Sequence, residues 1–255
     1  MRIAAVMICA VAITGVSSAG GLDVYDKETF THDGQKLLYR VLRPAKAEAG
    51  KKYPLVLFLH GAGERGDNNE AQLVHGSALF IKKENRAKFP AFVIFPQCPN
   101  GKRWVEVDWS DKKPHVSPKK PSDPMRLTKR MLDQFLKDNA VDADRIYVMG
   151  LSMGGFGTWD FAQRYPDVVA AAAPICGGAD NATAERIKHI PIWTFHGSAD
   201  TAVWPERTRS MVEELKNVKG NIRYSEYAKV GHNSWSRAFA EPELLTWMFA
   251  QKRGK

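Results

Sequence analysis

The chain has 255 residues, 44% hydrophobic and 25% charged, and its 37 Lys+Arg against 28 Asp+Glu leave a net charge of +9. Such a surplus suits anionic polymers or membrane surfaces, but equally a plainly basic solvent-facing surface. No zinc-finger, helix-turn-helix or glycine-aromatic RNA signature accompanies it, so no nucleic-acid partner is expected.

Met1-Arg2, the apolar run Ile3 to Val16 and Ser17-Ser18-Ala19 before Gly20 read as a signal peptide cleaved after Ala19. The run is short of the roughly 20 apolar residues a membrane span needs, and no second one occurs, so no stable membrane anchoring is expected. A secreted or periplasmic chain of residues 20–255 is left, a size suited to one domain. It keeps Cys98 and Cys176. In an alternating fold these follow strands three steps apart, roughly 14 Å against a bridging limit near 7 Å, so two buried free thiols are expected.

Thr29 to Arg43 reads as a hairpin turning at Asp33-Gly34. Tyr53 to Leu59 is a continuous apolar run, the mark of a strand buried on both faces, and it leads into His60-Gly61-Ala62-Gly63-Glu64-Arg65-Gly66. Asn68 to Ile81 is expected to be helical, weakened by Gly76, and Ala91 to Phe95 a strand. Between Asn100 and Ser122 periodic hydrophobics give way to Trp104, Trp109, prolines and Lys112, Lys113, Lys119 and Lys120. Such a loop emerges at the strand C-terminal edge, where Trp104 or Trp109 is expected to wall a substrate pocket unless it merely packs beneath the loop.

Ser122-Asp123-Pro124 is a helix start, and Leu127, Met131, Phe135 and Leu136 form one apolar face to about Asn139. Arg145 to Met149 is a strand, and Val168 to Gly178 holds another. Helices are expected over Asn181–Ile190, Glu206–Asn217 and Trp235–Gln251, the last interrupted by Pro242. Strands also fall at Pro191 to Phe195 and from Ile222. Alternation throughout predicts an α/β fold, a doubly wound and mostly parallel sheet with helices on both faces.

The chemistry concentrates in three turns. Gly150-Leu151-Ser152-Met153-Gly154-Gly155 places G-x-S-x-G between a strand and a helix, where Ser152 becomes an exposed nucleophile. His196-Gly197-Ser198-Ala199-Asp200 ends a strand on a carboxylate, and Gly231-His232 ends another on an imidazole. A serine alcohol needs a base to take its proton, and the base needs a carboxylate to hold its tautomer. Ser152, Asp200 and His232 supply these parts, with Asp180 as a rival acid. The seven histidines are scattered and no H-E-x-x-H or paired-cysteine spacing occurs, so neither metal nor cofactor is expected.

The order Ser, Asp, His, together with His60-Gly61 after the third strand, resembles the α/β-hydrolases over essentially the whole chain after residue 19. In detail the chain looks like small secreted esterases of the polyhydroxybutyrate depolymerase and feruloyl esterase group, and like the catalytic domain of prolyl oligopeptidases. It is similar in size to dienelactone hydrolases, whose nucleophile is a cysteine where Ser152 stands. The resemblance implies an oxyanion hole from the N–H of Met153 and that of Ala62 or Gly63, with His60 part of the loop framework. It implies hydrolysis of a small or polysaccharide-linked ester, with peptide cleavage or non-catalytic binding as alternatives. The basic loop suggests docking on an acidic polysaccharide.

Overall fold

The computed structural model describes residues 21–254; the expected signal peptide and its cleavage point lie outside them. The strands are β1 (Tyr25–His32), β2 (Gln35–Leu42), β3 (Tyr53–Leu59), β4 (Phe92–Pro96), β5 (Val141–Leu151), β6 (Ala171–Ile175), β7 (Ile192–Gly197) and β8 (Ile222–Tyr227). They form one eight-stranded sheet in the order β1-β2-β4-β3-β5-β6-β7-β8. β1 and β2 form the expected hairpin, with positive φ at Asp33 (50°) and Gly34 (73°), as a tight I′ turn requires. β2 also runs antiparallel to β4, and every pairing from β4 onward is parallel.

The helices are α1 (Ser77–Ile81), α2 (Lys83–Lys88), α3 (Asp123–Asp138), α4 (Met153–Arg164), α5 (Ala184–Ile187), α6 (Glu206–Asn217), α7 (Trp235–Ala238) and α8 (Leu244–Ala250). Because successive strand side chains point to opposite faces, the central strands feed two cores. Leu55, Leu57, Leu59, Ile94 and Val148 pack with α3, α4 and α6. Val56, Phe58, Val93, Phe95 and Met149 pack with α1, α7 and α8. This sandwiching is why all seven residues of β3 are buried. Ser122 caps α3 by accepting from the Met125 N–H at 3.2 Å, and the helix buries Leu127, Met131, Leu132 and Phe135.

Three stretches of helix bear on the expectations. The helix expected over 68–81 is split into a 3-10 turn, Ala71–Leu73, and α1. Gly76 between them has φ of 83°, and a Cβ there would lie 2.3 Å from the Phe58 ring. The last helix is interrupted at Pro242, as expected, leaving α7 and α8 on either side. The helix α2 has no buried residue, so its sequence carries no periodic apolar signal. Among the described residues, no helix is long and apolar enough to cross a membrane.

Candidate active site

β5 delivers Ser152 into a turn of unusual backbone, φ 53° and ψ −120°, before α4 begins at Met153. A non-glycine residue in that region is strained and persists only when its surroundings impose it. They do so here through close backbone contact. The Ser152 N–H donates to the Ile175 carbonyl at 2.9 Å, and a Cβ on Gly154 would lie 1.9 Å from the Leu59 carbonyl oxygen. Only glycine fits at 154, so the helix can start immediately after the serine.

His232, in the turn after β8, places Nε2 2.9 Å from Ser152 Oγ, and its Nδ1 lies 2.7 Å from Asp200 Oδ2. With Nδ1–H donating to the carboxylate, Nε2 is left free to accept the serine proton. Asp200 is buried, and its Oδ1 accepts the N–H groups of Ala202 (2.9 Å) and Val203 (3.0 Å). Burial opposes ionisation of this carboxyl, but hydrogen bonds from His196, His232 and the Val203 N–H outweigh it and hold it well below the usual carboxylate range. Asp180 stands elsewhere. Its oxygens accept from the N–H groups of Ser117 (2.8 Å) and Ala182 (3.1 Å), so the rival acid is a loop anchor.

Two residues outside the expected triad support it. His196 is fully buried, with Nε2 3.2 Å from Asp200 Oδ2 and 2.9 Å from the Val203 carbonyl, and Nδ1 2.8 Å from Thr208 Oγ1. Its signal in sequence was the His-Gly pair before Asp200, which says nothing of where the ring turns. Cys176 lies beneath, its sulfur within 4.8 Å of ligand atoms of Asp200 and His232. Burial pushes its thiol up to about 12, so it stays protonated packing under the triad. Cys98 is likewise free and buried, as expected of both thiols.

Opposite the elbow, Ala62–Glu64 forms a 3-10 turn after β3. Gly61 lies against the end of β5, where an added Cβ would be 2.9 Å from Leu151 Cδ1. The first N–H groups of α4, Met153 among them, have no intrahelical acceptor and so are available to an anion. His60 fills the framework part: its buried ring donates Nδ1–H to the Gly61 carbonyl (2.6 Å) and accepts the Cys98 N–H at Nε2 (2.9 Å). Burial lowers its pKa to about 4, which keeps it neutral.

The two tryptophans part company. Trp104 is fully buried, donates Nε1–H to the His60 carbonyl at 3.0 Å and packs on Gly157, so it takes the packing alternative and braces the 61–64 turn from below. Replacing it with Ala should cost about 3–5 kcal/mol of stability. A urea midpoint within error of wild type would refute that. Trp109 is half-buried, with the Arg103 guanidinium 4.3 Å from its ring centre. Buried Arg207 of α6 pins the loop that carries it, donating to the carbonyls of Asp108 (2.7 Å) and Asp111 (3.1 Å) and to His115 Nδ1 (3.0 Å). Burial and that guanidinium hold His115 at about 4, hence neutral.

A geometry of this kind can move a proton from a hydroxyl to an imidazole beside amides able to bind an oxyanion. The phospholipase/carboxylesterase family matches residues 44–243. Poly(3-hydroxyalkanoate) depolymerase C of Paucimonas lemoignei is 29% identical over 200 residues, covering 66% of this chain and 45% of that protein. The bifunctional acetylxylan esterase/xylanase XynS20E of Neocallimastix patriciarum is 24% identical over 195 residues, 76% of this chain and 26% of that protein. The chain therefore spans less than half the length of either relative. Among solved structures, a thermostable esterase matches with a TM-score of 0.85 at 37% identity, over 91% of this chain and 64% of that one. A family match across most of the sequence, with sheet order and elbow in agreement, means that this chain belongs to the phospholipase/carboxylesterase family and is an α/β-hydrolase.

Proposed function

We propose that the protein is a secreted serine ester hydrolase working through an acyl-enzyme on Ser152. The observation that carries this is the unbroken hydrogen-bonded line from Ser152 Oγ through His232 to Asp200. Ser152 Oγ bonds to the ester carbonyl carbon while its proton passes to His232 Nε2. The N–H of Met153 and that of Ala62 or Gly63 take the oxyanion. As the tetrahedral intermediate collapses, the carbon–oxygen bond to the alcohol breaks and His232 hands the proton to the leaving oxygen. Water then repeats the sequence and frees the acid. Esters are favoured over peptides because an alcohol is the better leaving group. Trp109, on the loop whose His115 packs against Phe156 of α4, is the remaining aromatic candidate for a pocket wall.

The test is labelling by a fluorophosphonate together with hydrolysis of nitrophenyl esters from acetate to octanoate and a ferulate ester. Labelling at Ser152 with turnover is expected; no turnover of any ester and no label would leave a non-catalytic binding protein. Secretion rests on the N-terminal residues, and the exported protein should begin at Gly20.

The relatives named for polyester and acetylxylan support a polymer-linked substrate. Lys112, Lys113, Lys119 and Lys120 are all exposed on the loop near the site, which favours docking on an acidic glycan. Retention on such a glycan should fall steeply between 0.1 and 1 M salt, as the screening length shrinks from about 10 Å to about 3 Å. Retention that ignores salt would remove the electrostatic basis.

A further inference from the structure

Proton delivery determines where the alcohol half of an ester leaves. His232 Nε2 sits 2.9 Å from Ser152 Oγ, so the departing oxygen must come within hydrogen-bond reach of that same nitrogen. Whatever flanks His232 is what the alcohol meets.

Trp235 stands there, its ring centre 5.4 Å from that of His232 with the planes at 89°. His75 continues the wall, 5.3 Å from Trp235, with its side chain 36% exposed. Its neighbour Val74 is 64% exposed, a large hydrophobic left facing solvent. Behind His75 comes Glu64, the last residue of the oxyanion turn, with Oε1 3.7 Å from His75 Nε2. That separation is too long for a direct hydrogen bond, so both atoms keep hydrogen-bonding capacity for a hydroxyl on their open side. The other oxygen, Oε2, is buried against Gly61 without a hydrogen-bond partner among the described residues. The wall thus runs from His232 through Trp235 and His75 to the turn that ends at Glu64, combining ring surfaces with a carboxylate and an imidazole.

We propose that Trp235, His75 and Glu64 form the subsite for the alcohol half of the ester, and that this half is a cyclic polyol, a pyranose of a glycan. Ring surfaces take the apolar face of the sugar, and Glu64 Oε1 beside His75 Nε2 binds one of its hydroxyls. The acyl half lies on the other side of the scissile bond and does not meet this wall. This inference rests on the ester-hydrolase reading above.

The test holds the acyl group constant: kcat/KM is measured for ethyl acetate and for a monoacetylated methyl xylopyranoside, in wild type, Trp235→Ala and His75→Ala. Any damage to His232 from losing Trp235 affects both esters and cancels in their ratio. Each variant should lower the sugar-to-ethyl ratio about 3- to 10-fold, the scale of one aromatic contact. Acetyl transfer from Ser152 back to added methyl xylopyranoside should fall by the same factor relative to hydrolysis. In that step the sugar hydroxyl loses its proton to His232 and bonds to the acetyl carbon, the bond to Ser152 Oγ breaks and Oγ takes that proton from His232, so the sugar re-enters the same subsite. Turnover of both esters with unchanged ratios in both variants would overturn the subsite while leaving the hydrolase reading intact. No turnover of either ester and no fluorophosphonate label in the wild type would overturn both.

Discussion

Ser152→Ala should lower kcat on nitrophenyl acetate by about 10⁵- to 10⁶-fold and abolish fluorophosphonate labelling, because the remaining oxyanion donors act on a carbonyl that nothing attacks. The loss should not be additive. His232 Nε2 lies 2.9 Å from the serine oxygen and has no use for its basicity once that oxygen is gone, so Ser152→Ala/His232→Ala should be about as active as the single variant. The fold should survive, since Ser152 Oγ points at the imidazole and the turn is held by backbone and glycine contacts. A fall in kcat of less than tenfold with the protein folded would mean that another nucleophile does the chemistry.

Asp200→Asn is expected to cost about 10⁴-fold in kcat. Oδ2 sits between two imidazole nitrogens, His232 Nδ1 at 2.7 Å and His196 Nε2 at 3.2 Å, while Oδ1 faces two backbone N–H groups. An amide has one oxygen for these two sets of donors. Either its NH₂ turns toward the peptide N–H groups, leaving them unsatisfied, or it turns toward His232 and forces the wrong tautomer. Asp180→Asn provides the contrast, because Asp180 touches Ser117 and Ala182 and leaves the His232–Asp200 bond intact. Full activity in Asp200→Asn, or a comparable loss in Asp180→Asn, would reverse the assignment of the acid.

The same carboxylate gives a stability signature. Its folded-state pKa is depressed, so the stability it contributes is present above the unfolded value of about 3.9 and is lost as pH falls through the folded one. Urea unfolding followed from pH 5 downward should therefore show stability falling through about pH 4 and below, with a shallower fall in Asp200→Asn. Equal slopes would mean that other carboxyls govern acid unfolding.

Much of this was readable along the chain because the chemistry is carried by local patterns. The elbow reads from its residues alone: Gly154 is required where a Cβ would overlap the Leu59 carbonyl, and no other side chain tolerates that contact. The continuous apolar run of β3, the Asp-Gly turn of the first hairpin and the Ser122 cap of α3 each have one local solution, and each was found where expected. Errors came where local preference was overruled at a distance. Gly76 marks a weak point between Asn68 and Ile81, but nothing there announces that the Phe58 ring will press on it, so a full break was not expected.

The residues around the triad divide in the same way. Residue types and their order determined that a serine, an acid and a histidine would meet at strand ends, since each turn advertises its own chemistry. Which tryptophan lies under the loop, where the His196 ring points, that Cys176 and Trp235 lie beside His232, and that His75 and then Glu64 follow Trp235 were decided only by tertiary structure. The reason is physical. These contacts join segments far apart in the chain, and they arise from side-chain packing between loops whose paths no periodicity encodes.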